Sequence, residues 1–169
     1  MAPYPNLLPL AGFVALMIAA VVIDFRRLVI PNGLVAGLCI LWLLHVGSAR
    51  GVSPVASLET VAAAAAALAA GAVLFSRGLI GGGDVKLFAA ASLWTGAAAL
   101  PQLLLLTALL GGALALLFLS PLGLWLTAAQ RIEASRAGAG SMLAGHAPIP
   151  YGVAIAAAAL IVTISPYLD

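Results

Sequence analysis

Charge is what this chain has least of. Only 7% of its 169 residues are Asp, Glu, Lys or Arg, and 64% are hydrophobic. Soluble domains carry roughly a quarter charged residues, so a soluble fold is excluded. Cysteine is almost absent. Cys39 alone cannot form an intramolecular disulfide or a cysteine-based zinc site, and inside an apolar stretch it reads as a packing residue. His45 and His146 are far apart, and no H-E-x-x-H run is present. No G-x-S-x-G stretch marks a serine nucleophile. No cofactor and no metal site is therefore expected. The seven Lys and Arg form no basic run, so no nucleic-acid partner is expected either, despite a pI of about 9.1. The first apolar run has no Lys or Arg before it, which fits a retained membrane helix better than a cleavable signal.

Apolar length is what the chain has most of, with a mean hydropathy of +1.22. A spanning helix needs about 20 apolar residues. Six apolar segments, near 7–23, 34–46, 54–75, 85–100, 103–126 and 151–167, use most of the sequence. The expectation is an all-α, polytopic membrane protein with about six transmembrane helices. Residues 1–169 then form a single integral-membrane domain, with membrane lipid as its solvent. Pro101-Gln102 is the turn signal between the fourth and fifth segments, and Pro121 and Gly123 end or kink the fifth. In an alternating six-span arrangement Arg26, Arg27, Arg77, Lys86, Arg131 and Arg136 fall on one side, and only Arg50 on the other. The positive-inside rule makes the first side cytoplasmic and puts both termini across the membrane from it.

Two of the five acidic residues fall at membrane borders on that cytoplasmic side. Asp24 closes the first apolar segment. Asp84 follows Gly81-Gly82-Gly83 and opens the fourth. A carboxylate is costly at such a position and usually has a task there. Two carboxylates at one depth can share a proton, one taking a proton from water while the other polarises a carbonyl. The three glycines clear side chains from beside Asp84, so that backbone can approach closely or adopt positive φ. Lys86, close to a helix N-terminus, calls for a carboxylate partner or for snorkelling to the interface. Plainer readings compete. Asp84 serves as a helix N-cap, Asp24 pairs with Arg26 or Arg27, and 30–33 is a turn with Asn32 as a cap. A transporter or channel component with intramembrane acids is the alternative function. A conduction path needs polar groups at several depths, however, and here both aspartates lie at one edge.

The same residues carry a resemblance. Gly81-Gly82-Gly83-Asp84-Val85-Lys86-Leu87 fits the G-x-G-D-x-K-L motif of the type IV prepilin peptidase family. Asp24-Phe25-Arg26 with Ile30-Pro31-Asn32 resembles the segment around that family's first catalytic aspartate, and Pro150-Tyr151-Gly152-Val153-Ala154 resembles the opening of its last helix. The resemblance implies an aspartic endopeptidase of the bacterial cytoplasmic membrane that cuts the basic leader from a prepilin or pseudopilin at the cytoplasmic face. Asp24 and Asp84 would be the catalytic dyad. Gly81, Gly83, Lys86, Arg26, Pro31, Asn32, Pro150, Tyr151 and Gly152 would support it. The long form of the family has an extra cytoplasmic region with paired cysteines, linked to N-methylation. This chain looks like the short form found with Flp/Tad pili, for which methyltransferase activity is not expected. A basic leader followed by an apolar helix puts the cut at the interface where the aspartates lie. The alanine-rich stretch 62–70 would offer that helix a docking surface of small side chains.

Overall fold

The computed structural model describes residues 7–48, 53–121, 123 and 149–165. Among them are six helices and no strand: α1 (Leu7–Arg27), α2 (Asn32–Ser48), α3 (Pro54–Ser76), α4 (Gly82–Thr95), α5 (Leu100–Leu119) and α6 (Tyr151–Ile164). The expected all-α fold is observed. Three helices, Leu8–Arg27, Pro54–Ser76 and Leu100–Leu119, are long and apolar enough to cross a membrane, and two shorter apolar helices accompany them. Arg50, Arg131, Arg136 and His146, and the outer ends of the fifth and sixth expected spans, lie outside the described residues.

The helix ends follow from local chemistry. Gly78, at φ 71°, takes the left-handed turn after α3, its amide donating to the Phe75 carbonyl at 2.9 Å. Gly96, at φ 81°, stops α4, its amide donating to Ser92 O at 3.2 Å. The break between α4 and α5 therefore comes at Gly96, earlier than Pro101-Gln102. Pro101 instead sits in the first turn of α5, where its missing N–H has no helical partner to lose. This leaves α4 at 14 residues, or about 21 Å of helix, short of the roughly 30 Å apolar core of a bilayer.

Helix α4 compensates by being central. It packs on α3, α6, α2 and α5 and buries Val85, Leu87, Ala89, Ala90, Ala91 and Ser92. Helix α6, beside it, is largely buried, with Ala154, Ile155, Ala156, Ala158 and Ala159 all in the core. Small side chains on both helices let the backbones approach, the usual route to tight packing in lipid. At the far end Phe13 stacks on Trp94 with ring centroids 4.6 Å apart, and the Trp94 indole donates to Leu38 O at 3.1 Å. Large apolar residues such as Leu8, Leu58 and Leu116 point outward. In water this would be an aggregation surface, but against lipid it is the expected exterior.

Candidate functional site

The Asp24 and Asp84 side chains line one cavity of about 300 Å³, although 60 positions separate them in sequence. They lie close enough to repel one another electrostatically. Asp24 stands in the last turn of α1 and is only 4% exposed. The backbone amides of Val153 and Gly152, at the start of α6, face its carboxylate. Its Oδ2 has no hydrogen-bond partner among the described residues. Pairing with Arg26 or Arg27 is not its arrangement: both arginines are exposed, whereas the carboxylate turns inward.

Asp84 stands in the first turn of α4 and is half-buried. The N-cap of that helix is Gly81, and no side chain bonds the cap, so the N-cap reading of Asp84 fails. None of Gly81, Gly82 and Gly83 has positive φ. Their value is space. A Cβ at Gly81 would stand 2.8 Å from Asp84 Oδ2, and one at Gly83 would stand 3.2 Å from Ile30 Cβ. Gly82 is packed similarly against the Phe75 ring. Lys86, exposed, does not take a carboxylate partner among the described residues: its ammonium donates to Asn32 Oδ1 at 3.0 Å. Asn32 thereby ties the start of α2 to the start of α4. The helix-opening carbonyl is supplied one residue earlier, by Pro31, whose oxygen accepts from the Leu34 amide at 3.1 Å.

The third motif closes the site from α6. Pro150 is buried, and its carbonyl accepts from the Val153 amide at 3.2 Å, opening the helix. A Cβ at Gly152 would stand 2.8 Å from Asp24 Oδ2 and 2.9 Å from Ile30 Cδ1. Tyr151 lines the cavity and lays its ring over Gly111 of α5. The cavity thus brings together Asp24, Asn32, Gly81, Gly83, Asp84, Lys86 and Tyr151, with Gly152 forming the floor beneath Asp24. Arg26 and Pro31 are exposed and do not line it.

Two residues to which the sequence assigns no role matter here. Ile30, 8% exposed, wedges between Gly83 and Gly152 and so sets the spacing of the segments bearing or touching both aspartates. Leu28, at φ 55°, holds a left-handed backbone that Leu rarely adopts, and it lines the cavity. Its amide closes α1 on the Asp24 carbonyl at 2.9 Å. Among the described residues no three His, Cys, Asp or Glu side chains gather to hold a metal ion.

The sequence model of the type IV leader peptidase family matches residues 11–116. The chain belongs to the type IV leader peptidase family. The match runs from α1 through most of α5 and includes both aspartates. No curated protein and no solved structure matches the chain. Two carboxylates lining one cavity can share a proton, the arrangement that acid–base hydrolysis by a pair of acids requires. The Pro150–Gly152 segment lies beyond the matched residues, yet it packs on Asp24.

Proposed function

We propose that this leader peptidase family member is a prepilin leader peptidase in which Asp24 and Asp84 are the catalytic dyad. The substrate is a type IV or Flp/Tad prepilin or pseudopilin, with a basic leader and an apolar helix after it. The enzyme is a single multi-pass domain of the bacterial cytoplasmic membrane, with its active site toward the cytoplasm. One observation carries the reading: two family-motif carboxylates line one cavity, and among the described residues no side chain bonds Asp24 Oδ2.

The chemistry follows from one proton shared by two carboxyl groups. The ionised carboxylate takes a proton from a water as its oxygen attacks the scissile carbonyl carbon. The protonated partner gives its proton to the carbonyl oxygen as the tetrahedral intermediate forms. The intermediate collapses when the first carboxyl returns its proton to the leaving nitrogen and the C–N bond breaks. The carbonyl re-forms, and its proton goes back to the second carboxylate, which restores the pair. The Gly81–Gly83 backbone leaves room for an extended peptide beside Asp84, because any side chain at Gly81 would occupy the space at the carboxylate.

The test is cleavage of a prepilin in membranes containing the protein, with the new N-terminus located by mass spectrometry. A single cut at the border between basic leader and apolar segment is expected. An intact substrate, or a cut deep in the leader, contradicts the proposal.

A further inference from the structure

A second cavity adjoins the acidic one, and the hydrolytic chemistry does not use it. It is an apolar groove of about 410 Å³ between α3 and α5, floored by α4 and α6. Asp84 and Tyr151 line both cavities, so the groove meets the acidic chamber at these side chains. Ala66, Ala70 and Gly71 form one wall, and Leu104 and Ala108 the other. On α5 the lining runs from Ala108 to Leu100, about 12 Å of helix leading away from the acidic end. Among the described residues, Asp84 and the Tyr151 phenol are the ionisable side chains that line it.

One polar atom breaks this pattern. Thr107 lines the groove and is 5% exposed, and its Oγ1 has no hydrogen-bond partner among the described residues. A buried hydroxyl without a partner is costly, and an acyl chain lying in the groove could not relieve it. A helix carrying a polar side chain could. Thr107 is four residues, about one turn, from Gly111, on which Tyr151 rests at the mouth of the acidic chamber.

We propose that the groove between α3 and α5 holds the first turns of the substrate's apolar segment, just beyond the scissile bond, and that the Thr107 hydroxyl hydrogen-bonds a polar side chain within those turns. This assignment rests on the peptidase reading above. It makes Thr107 a specificity residue, remote from the reacting atoms. It also gives the small α3 side chains their purpose, since larger ones would fill the space the substrate helix needs.

The experiment compares two membrane-anchored prepilin substrates, one natural and one with every polar side chain in the first two turns of its apolar segment changed to Leu. Thr107→Val should lower kcat/KM about 3- to 10-fold on the natural substrate, the worth of one hydrogen bond, and barely affect the all-apolar one. Thr107→Ser should retain most activity on both. Equal losses on the two substrates, or none on either, would overturn the assignment. In parallel, p-benzoylphenylalanine in place of Leu104, a large and exposed side chain of the α5 wall, should crosslink to the substrate helix, whereas the same group in place of Val61, facing a different groove on α3, should not. Crosslinking from position 61 alone, or to lipid alone from position 104, overturns it. If the wild type leaves the natural substrate uncut, the peptidase reading falls and takes the groove assignment with it. If the wild type cuts but Thr107→Val is silent, only the groove assignment falls.

Discussion

Gly152 lies against the carboxylate of Asp24. A Cβ there would stand 2.8 Å from Oδ2 and 2.9 Å from Cγ, distances that real Cβ atoms do not tolerate. The glycine is thus a condition of the position of Asp24. Gly152→Ala should push the carboxylate or α6 aside and lower leader cleavage at least about tenfold, because overpacking of 1–3 kcal/mol at a reacting group acts directly on its geometry. Gly33→Ala is the control, since nothing lies within 4 Å of a Cβ there. Cleavage rates of the two variants in matched membranes check this, and equal rates would refute it.

Leu28 separates stability from activity. Its left-handed backbone at φ 55° carries a cost of roughly 1 kcal/mol that glycine would not. Leu28→Gly is therefore expected to keep or raise the thermal midpoint in detergent while lowering cleavage several-fold through loss of a cavity wall. A lower midpoint would show that the side chain matters mainly for packing.

Gly71 and Val85 set the approach of α3 to α4. A Cβ at Gly71 would stand 2.5 Å from Val85 Cγ1, one residue from Asp84. Gly71→Ala should destabilise by about 1–3 kcal/mol, and Val85→Ala in the same chain should recover part of that loss. Unfolding in mixed micelles measures both. Additive losses in the double variant would contradict the contact.

Lys86 and Asn32 act as one unit through their 3.0 Å hydrogen bond. Lys86→Met and Asn32→Ala should each lower cleavage about three- to fivefold, and the double variant should lose no more than either alone. A double loss equal to the product of the single losses would mean that the two residues work independently.

Much of this was legible in the sequence, because apolar length and the scarcity of charge report directly on spans and their borders. Asp24 and Asp84 stood out since each is an acid at the edge of an apolar run. The break before α5 was misplaced because proline looks like an interruption in a sequence, yet Pro101 is at home in a helix's first turn while Gly96 takes the positive φ. The glycines before Asp84 offer either clearance or freedom of φ; none takes positive φ, and Gly81 and Gly83 give clearance from Asp84 and Ile30. The Ile30 wedge, the Tyr151–Gly111 contact and the Thr107 hydroxyl depend on which helices become neighbours. No periodicity within a single apolar segment encodes that. Arg26 and Pro31 belong to the motif segment but do not line the cavity.

The central claim is that two carboxylates do the chemistry together. The most direct measurement is the cleavage rate of a prepilin by wild type, Asp24→Asn and Asp84→Asn, each at equal abundance in the membrane. The account predicts that each single variant loses at least roughly 10³-fold, and that the double variant loses no more than either, as expected for groups that act as a unit. Cleavage at near wild-type rate by either single variant would contradict it.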